Sequence, residues 1–453
     1  MNKLPNINEC SLAIIGLGYV GLPVAIEFAL KKKSILDKSR LVREIIGFDI
    51  NEERINQLKN NIDITKEIDT EILEKTKNIF FTNNPKHLSN AEIYIVTVPT
   101  PIDNNKKPDL SLLKKACKTI GLAIKNRKLE SIPVVIFEST VYPGATEEIC
   151  VPIIKKHSGF DIYDGEGNKN RNSFAFGYSP ERINPGDKKH RISMIIKVTS
   201  GNNEIVSLWV DKLYGSIIDA GTHNAKSIKI AEAAKIIENT QRDLNIALIN
   251  ELSIIFENLN IDTLDVIEAA QTKWNFLPFK PGLVGGHCIG VDPYYLTYKS
   301  IISGYVPQVI LSGRKINDNV GFRYVDRLIK ILHDKGIQTS KLKVLILGFT
   351  FKENCPDIRN TGVMNIINAL RELQIEFEVF DPLVKKRDAL NSYNLNIENE
   401  IPKDKKYALI IVAVSHFIFT KYDISIWKSL CTKESIIFDL KGIVPRSLNP
   451  IRP

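Results

Sequence analysis

The sequence lacks paired cysteines at the CxxC spacing, and no apolar run is long enough to span a membrane. Its 6 cysteines among 453 residues are too few for a disulfide scaffold, and their spacing supports neither a zinc knuckle nor a redox pair. The first residues also lack the apolar core of a signal peptide. These absences predict a cytoplasmic protein with no bound metal and no membrane insertion.

Positive charge is only slightly in excess: the sequence has 61 Lys and Arg residues and 52 Asp and Glu residues, for a net charge of +9. The basic residues are scattered and form no stripe interleaved with aromatic residues, so we predict no nucleic-acid partner. Binding of small anionic metabolites is compatible with this balance. The length allows two or three domains with cores of their own.

The first half of the sequence alternates short apolar runs with helical patterns, which is typical of a mostly parallel sheet with helices on its faces. The runs predicted as buried strands are Cys10–Ile15, Glu44–Asp49, Ile93–Pro99, Pro133–Glu138 and Met194–Thr199. The stretch Asp161–Asn172 has the composition of a surface loop.

From Ala225 to Asn258 there is neither Gly nor Pro, and apolar residues fall on nearly every helical face, which predicts a helix buried in a core or at a subunit contact. Strand patterns return at Val344–Leu347, Phe377–Phe380, Leu409–Val414 and Ile436–Asp439. We therefore predict an α/β protein with two Rossmann-like doubly wound domains, residues 1–205 and 321–453. A central helical dimerisation region, residues 206–320, joins them.

The residues Gly16-Leu17-Gly18-Tyr19-Val20-Gly21 fit GxGxxG between a predicted strand and a predicted helix, the context of a dinucleotide-binding turn. Gly16, Gly18, Tyr19 and Gly21 are therefore candidates for NAD binding, because such a turn brings backbone N–H groups to a pyrophosphate. Asp49 ends the next strand and is a candidate partner of the ribose hydroxyls, which favours NAD over NADP. Arg54 follows near the adenosine end. Thr100 ends a later strand, either facing the cofactor or in a simple turn.

Cys288 lies in the segment GLVGGHCIGVDPYY, residues Gly282–Tyr295. A cysteine can hold an acyl group as a thioester, because the thiolate is both a strong nucleophile and a good leaving group. Gly285 and the next glycine allow a substrate carbon to come close, and Asp292 could orient water. The alternative is a small buried core residue.

Lys235, Asn239 and Arg242 follow the spacing i, i+4, i+7 and share one helix face. A partly buried lysine can act as a base, or as a cation beside a developing alkoxide. Two solvated charges on a helix are the alternative.

Two further segments, Phe137–Gly144 and Tyr178–Pro185, each follow an apolar strand and contain turn-forming prolines. In them Thr140 could hold a water molecule and Glu181 could accept its proton, the alternatives being a helix cap and a surface salt bridge. Lys352 and Arg359 follow a later strand end and could hold phosphates.

The motifs GLGYVGLP, FEST–PG, SPER–NPGD, the Lys235–Asn239 pair, GGHC–DP and GFTFK occur in the order found in the UDP-glucose/GDP-mannose dehydrogenase family, which the chain resembles over essentially its full length. The wording GHCIGVDPYYL is most similar to the branch acting on UDP-N-acetylhexosamines, which supplies acidic sugars to capsule and lipopolysaccharide. His287 usually has a different counterpart in the UDP-glucose branch.

The resemblance implies an NAD-dependent four-electron oxidation of the C6 alcohol of UDP-GlcNAc or UDP-GalNAc, through a thiohemiacetal and a thioester on Cys288. Lys235 would be the general acid/base, Asn239 would polarise the oxygen, Asp292 and Thr140 would position water, and Glu181 would assist thioester hydrolysis. NAD contacts are implied for Val20, Asp49, Arg54, Thr100, Thr140 and Arg359, and substrate contacts for Arg182, Ile183, Lys235, Asn239, Arg242, Gly285 and Lys352. A homodimer or a higher homo-oligomer is also implied.

Three other functions remain open from the sequence. The first is oxidation of UDP-glucose or UDP-ManNAc by the same chemistry. The second is a two-domain hydroxyacid or polyol dehydrogenase that stops after one oxidation, in which Cys288 would be structural. The third is a sensor of NAD or sugar nucleotides without catalysis, against which the intact Cys288, Lys235 and Asp292 argue.

Overall fold

The computed structural model describes residues 3–165, 172–183, 191–338, 342–402 and 404–453. The chain divides into two compact units, Met1–Ile237 and Glu238–Pro453. The boundary falls inside one long helix, Ile228–Asn258, so the first turns of this helix belong to the N-terminal unit. The predicted division into three domains stays a prediction.

The N-terminal unit is built on one large sheet, with helices in the connections between its strands. Its strands are β1 (Glu9–Ile15), β2 (Val42–Phe48), β3 (Ile79–Thr82), β4 (Ile93–Val96), β5 (Val134–Phe137), β6 (Asp161–Ile162), β7 (Ser173–Tyr178), β8 (Lys197–Gly201) and β9 (Thr222–Asn224). Its helices are α1 (Gly21–Leu30), α2 (Glu52–Lys59), α3 (Thr70–Lys75), α4 (Ser111–Asn126), α5 (Val151–Ser158), α6 (Glu204–Gly215) and the start of α7 (Ile228–Asn258).

The strand order is β3-β2-β1-β4-β5-β7-β8-β9, with β6 beside β7, and every pairing is parallel except that of β7 with β8. The direction of the order reverses between β1 and β4, and this is where open parallel sheets bind ligands at the carboxyl ends of their strands. The strands β4 and β5 are buried on both faces because helices cover both sides of the sheet, which explains their unbroken apolar sequences.

The C-terminal unit combines helices with a smaller parallel sheet. Its helices are the rest of α7, then α8 (Thr263–Ala270), α9 (Asp292–Ile302), α10 (Gln308–Asp334), α11 (Val363–Glu372), α12 (Lys386–Tyr393), α13 (Phe417–Thr420) and α14 (Ile424–Leu430). Its strands are β10 (Lys343–Leu347), β11 (Glu376–Phe380), β12 (Tyr407–Val412) and β13 (Cys431–Asp439), in the order β11-β10-β12-β13.

Both sheets start with the same local arrangement. After β1, the N–H of Leu17 donates to Asp49 Oδ2 at 2.8 Å; after β10, the N–H of Phe349 donates to Asp381 Oδ2 at 2.7 Å. In each unit the aspartate follows the second strand of the pair and fixes the turn after the first. The GFTFK segment is thus the counterpart of the glycine motif, as the repeated strand pattern predicted.

The α/β fold with two Rossmann-like parallel sheets is confirmed, with differences in detail. The strand predicted at Met194–Thr199 is Lys197–Gly201, because Ile192–Met194 forms a short 3-10 turn. The surface-loop prediction for Asp161–Asn172 was wrong at its start, since Asp161–Ile162 pairs with β7; residues 166–171 lie outside the described part.

The long helix α7 is less buried than its composition suggested. Apolar side chains of Ile237, Leu248 and Ile255 are about half exposed in the single chain, so burial in a core accounts for only part of its apolar surface. Among the helices of the described ranges, none is both long and apolar enough to cross a membrane.

Candidate active site

The turn between β1 and α1 has the geometry that GxGxxG requires. Gly16 has φ +95°, and a Cβ at Gly21 would lie 1.8 Å from the carbonyl oxygen of Gly16, so no other residue fits there. Thr97 closes the turn from β4 through a 2.7 Å hydrogen bond from Oγ1 to the Gly16 carbonyl oxygen. At Gly18, by contrast, an added Cβ would meet nothing within 4 Å, which leaves the backbone open to a ligand.

Asp49 and Arg54 both form hydrogen bonds with the backbone of Leu17, in the turn between β1 and α1. Asp49 is half-buried and also accepts from the N–H of Asn51 at 2.9 Å. Arg54 is buried, donates from Nε to the Leu17 carbonyl oxygen at 2.8 Å and pairs through NH1 with Asp63 at 2.8 Å. Its NH2 group is buried and has no hydrogen-bond partner in the part of the chain that the structure describes. Of the motif's other residues, Val20 is buried in the core and Tyr19 packs against it.

The segments that follow β4 and β5 come together beside the point where the strand order reverses. Thr100 Oγ1 donates to the carbonyl oxygen of Thr140 at 2.7 Å, and Ser139 Oγ donates to that of Val98 at 2.7 Å. The structure therefore joins two segments that the sequence singled out separately. Thr140 itself is half-buried.

Glu181 and Lys235 form a buried ion pair. Lys235 Nζ lies 3.8 Å from Glu181 Oε2, and the two residues are only 5% and 4% exposed. Glu181 also accepts from the backbone N–H of Ile183. The surface salt bridge considered for Glu181 is thus not what the structure has.

Behind Glu181, a second buried pair links the two segments that follow β5 and β7. Lys197 Nζ contacts Glu138 Oε2 at 2.6 Å and the Pro180 carbonyl oxygen at 3.1 Å. Tyr214 donates to Glu138 Oε1 at 2.5 Å, and burial together with the Glu138 charge raises the pKa of Tyr214 well above its ordinary value. Glu138 therefore supports the strand ends that carry Thr140 and Glu181.

In the C-terminal unit, Asn239 contacts the segment that follows Cys288. Its Nδ2 donates to Asp292 Oδ2 at 2.6 Å, and Asp292 is 2% exposed. The carbonyl oxygen of Cys288 accepts from the N–H of Asp292 at 2.8 Å, so the half-buried cysteine lies in the turn immediately before α9. This backbone hydrogen bond fixes the position of Cys288, the candidate nucleophile, relative to Asp292.

A buried polar network supports the start of the same segment. Asn250 exchanges two hydrogen bonds with the backbone of Gly282, at 2.9 and 3.0 Å, and donates to Asn317 at 2.9 Å. Asn317 and Arg314 in turn reach Asp243 at 2.8 and 2.6 Å. The network joins α7 and α10 to the residues that lead to Cys288.

The residues beside Cys288 pack against the GFTFK region. A Cβ on Gly285 would lie 2.8 Å from the Asn360 carbonyl oxygen. His287 Nε2 lies 3.8 Å from Asp357, which Arg359 contacts through Nε at 3.0 Å. Burial opposes ionisation of Asp357, but hydrogen bonds from Arg359 outweigh it and lower the pKa of this carboxyl.

The remaining candidates lie at the surface or are half-buried. Arg182 donates from NH1 to the Ile196 carbonyl oxygen at 2.9 Å, and Ile183 is half-buried; Asn184 and Pro185 of the same motif lie outside the described residues. Lys352 is half-buried with Nζ 5.4 Å from the centre of the Phe351 ring, and Arg242 is exposed.

Models of one protein family match consecutive parts of this chain. The NAD binding domain of the UDP-glucose/GDP-mannose dehydrogenase family matches residues 10–218, its central domain residues 229–319 and its UDP binding domain residues 345–446. The chain belongs to the UDP-glucose/GDP-mannose dehydrogenase family. It is therefore an NAD-dependent oxidoreductase of UDP-sugars, and both the enzyme class and the cofactor predicted from the motifs are confirmed.

Close relatives cover almost the whole chain. The UDP-N-acetyl-D-glucosamine 6-dehydrogenase of Pseudomonas aeruginosa is 49% identical over 98% of this chain and 100% of its own length. That of Salmonella typhi is 48% identical over 98% of this chain and 99% of its own. Among solved structures, the UDP-D-ManNAc dehydrogenase of Pyrococcus horikoshii superposes with a TM-score of 0.80 at 26% identity, covering 96% of both chains.

The residues around the glycine turn fit the NAD that this dehydrogenase family uses. The open backbone at Gly18 and the start of α1 offer N–H groups to a pyrophosphate. The half-buried Asp49 carboxylate keeps lone pairs for ribose hydroxyls beyond its two backbone bonds. The buried Arg54 NH2 group adds a polar atom beside this turn that has no hydrogen-bond partner among the described residues.

Sequence reasoning missed several residues that support the site. Lys197, Tyr214, Asn250 and Arg314 had no motif, because each acts through a contact with a residue distant in the chain. Glu232 did offer a signal: it is a charged residue in an apolar helical stretch, three residues before Lys235 and on the same face.

Proposed function

We propose that this enzyme oxidises the C6 alcohol of UDP-N-acetyl-D-glucosamine to the carboxylate. The observation that carries the choice of substrate is the 49% identity, over nearly the full length, to a UDP-N-acetyl-D-glucosamine 6-dehydrogenase. A UDP-N-acetyl-D-mannosamine dehydrogenase from Methanocaldococcus jannaschii shares only 31%. The gluco configuration, which the motifs left equal with galacto, is therefore favoured.

The proposed chemistry needs two oxidations in sequence. NAD, when bound, accepts a hydride in each of them. The alcohol first becomes an aldehyde, and Cys288 adds its sulfur to the carbonyl carbon while the oxygen takes a proton, which gives a thiohemiacetal. This step turns the aldehyde carbon back into a carbinol centre whose hydrogen can leave as hydride. The second oxidation leaves a thioester, and water releases the acid and the thiol. In balance, one alcohol, two NAD⁺ and one water give one carboxylate, two NADH and three protons.

We assign the proton transfers to two buried side chains, those of Lys235 and Glu181. Lys235, as the neutral amine, takes the alcohol proton, and the ammonium that results stabilises the alkoxide. Glu181, 3.8 Å away, supplies the compensating charge that this buried ammonium needs. Glu181 then assists hydrolysis by accepting a proton from water. Asn239 polarises the substrate oxygen, while Asp292 and Thr140 position the water.

The binding roles remain as the resemblance implies them. NAD contacts are proposed for Gly16, Gly18, Tyr19, Val20, Gly21, Asp49, Arg54, Thr100, Thr140 and Arg359. Substrate contacts are proposed for Arg182, Ile183, Lys235, Asn239, Arg242, Gly285 and Lys352. The cytoplasmic location and the polysaccharide pathway likewise stay predictions.

We further propose a homodimer or a higher homo-oligomer. In α7, Leu248 and Ile255 are seven residues apart and so share one half-exposed apolar face, and the similarly exposed Leu259 directly follows the last residue of the helix. Trp274 is 92% exposed, and large side chains of this kind are enriched at the centres of interfaces. The mass in solution, measured by light scattering, tests this: a monomer at micromolar concentration would contradict it.

The substrate is tested by initial rates of NADH formation with UDP-GlcNAc, UDP-GalNAc, UDP-glucose, UDP-ManNAc and GDP-mannose. We expect kcat/KM for UDP-GlcNAc to exceed the others by about tenfold or more, equivalent to about 1.4 kcal/mol in transition-state binding. A larger kcat/KM for UDP-glucose or UDP-ManNAc would reject the substrate and keep the enzyme class. No NADH with any of them would reject the proposed function.

A further inference from the structure

A carboxylate is buried in α7 one turn before the candidate catalytic lysine. Glu232 is 0% exposed, and its helical neighbours Ala231 and Ile236 are buried apolar residues. Because positions i, i+3 and i+7 lie on one helix face, Glu232 is on the same side as Lys235 and Asn239. A buried charge at this position requires hydrogen-bond partners.

Those partners are backbone groups of the segment that follows β5. The N–H of Gly144 donates to Glu232 Oε2 at 2.5 Å, and the N–H of Thr146 donates to Oε1 at 2.9 Å. Gly144, with φ +95°, turns the chain into the helical residues Thr146–Cys150 that continue into α5. The first N–H groups of a helix have no hydrogen-bond acceptor within that helix. Here the carboxylate of Glu232, which belongs to α7, accepts the two hydrogen bonds.

The segment that Glu232 binds, which follows β5, also carries Thr140. At its start, Thr140 is fixed to the segment that follows β4 through the bond from Thr100, and at its end Gly144 is fixed to α7 through Glu232. We propose that Glu232 is a positioning residue, which sets the place of the Thr140 turn relative to the helix that carries Lys235. This inference rests on the proposed function, in which both residues act on one substrate.

Glu232 can accept both hydrogen bonds at full strength only when its carboxyl is ionised. A neutral acid would present a hydroxyl group to one of the two N–H donors. Burial raises the pKa of Glu232 to about 7, against the hydrogen bonds from Thr146 and Gly144 that lower it. The groups facing Glu232 are Glu147 and Cys150 from the capped helix, while Lys229 of its own helix pairs with Glu147 at 3.9 Å and Lys114 of α4 faces Cys150. The positioning contact therefore changes within the neutral pH range.

Glu232→Gln tests the inference, with Glu251→Gln, an exposed carboxylate of the same helix, as the matched control. NADH formation from UDP-GlcNAc is measured between pH 6 and 9. We expect Glu232→Gln to lower kcat at pH 8 by about tenfold or more with KM changed less than about twofold, because the amide nitrogen cannot accept an N–H bond. We expect kcat of the wild type to fall below pH 7, and this fall should be absent in Glu232→Gln, while Glu251→Gln should match the wild type.

A kcat within twofold of the wild type in Glu232→Gln would overturn the inference, and so would a loss of kcat that leaves the wild-type pH profile unchanged. Glu232→Asp serves if the first variant does not fold: it keeps a carboxylate with a shorter reach, so kcat should fall while the acidic limb persists. Wild-type kcat in Glu232→Asp would then contradict the role. A wild-type protein that forms no NADH from any UDP-sugar would instead overturn the proposed function.

Discussion

The side chain of Asn239 holds the carboxylate of Asp292 at 2.6 Å. This bond ties helix α7 to the first residue of α9, and the N–H of the same aspartate is bonded to the carbonyl oxygen of Cys288. The carboxylate thus has a fixed orientation in a buried environment, four residues after the nucleophile candidate. Such fixation is what a residue that positions water or a proton needs.

Asp292→Asn should lower kcat by about a hundredfold, the low end of what a positioned acid-base group contributes. The new amide oxygen can still accept the bond from Asn239, so the geometry is retained while the charge is lost. Steady-state NADH formation measures the effect, with Asp326→Asn on the exposed side of α10 as the control. Equal kcat in both variants would show that the charge of Asp292 has no part in the reaction.

Glu181→Gln should slow thioester hydrolysis more than either oxidation. The amide oxygen can keep the bond to the N–H of Ile183, but the side chain can no longer accept a proton from water. We expect a burst of NADH followed by a slow phase, and an acyl adduct on the protein in intact-mass spectra. Exposed Glu130→Gln is the control. Turnover without a burst or an adduct would assign hydrolysis to another residue.

Cys288→Ala should bind UDP-GlcNAc with nearly unchanged affinity and form no UDP-sugar acid. The small side chain keeps the turn before α9, whose hydrogen bonds are made by the backbone. Calorimetry measures the binding and chromatography the product, and Cys431→Ala is the control, because this half-buried cysteine lies in the same unit but outside the proposed machinery. Acid formation at the wild-type rate by Cys288→Ala would remove the nucleophile assignment.

The glycine turn, Asp49 and the Lys235–Asn239 pair could be predicted from the sequence because local spacing decides them. A strand followed by GxGxxG allows one kind of turn, and residues four apart on a helix share a face. The glycine turn is present, with Gly21 too close to Gly16 for any side chain. Strand boundaries were less accurate where the chain leaves the sheet, as at Ile192–Met194.

The supporting groups could not be predicted, because their partners are far apart in the sequence. Glu232 is 88 residues from Gly144, and Lys197 is 59 residues from Glu138. Apart from the apolar helical surroundings of Glu232, nothing in the local sequence distinguishes these buried charges from solvated ones, and nothing identifies their partners. Only the topology, which brings the ends of β5, β7 and β8 beside each other and beside α7, gives them partners.

The stability of the wild type relative to Glu232→Gln should depend on pH in a defined direction. A carboxyl whose pKa rises from 4.5 to about 7 on folding binds more protons in the folded state between these values. The wild type therefore loses free energy of unfolding as the pH rises through this range, by about 3 kcal/mol in total, and the amide variant does not.

Urea unfolding at pH 5, 6, 7 and 8 measures the difference between the two proteins. The stability of Glu232→Gln should rise relative to the wild type with increasing pH, while Glu251→Gln should show a constant difference. A constant difference in Glu232→Gln as well would mean that this carboxyl titrates at the same pH in the folded and unfolded chain.

The ratio of NADH formed to UDP-GlcNAc consumed tests the double oxidation through Cys288 most directly. It is measured with limiting UDP-GlcNAc and excess NAD, with NADH followed by absorbance and the sugar nucleotides by chromatography. The predicted result is two NADH and one UDP-sugar acid for each UDP-GlcNAc. One NADH per sugar, with an aldehyde or ketone as the final product, would contradict it.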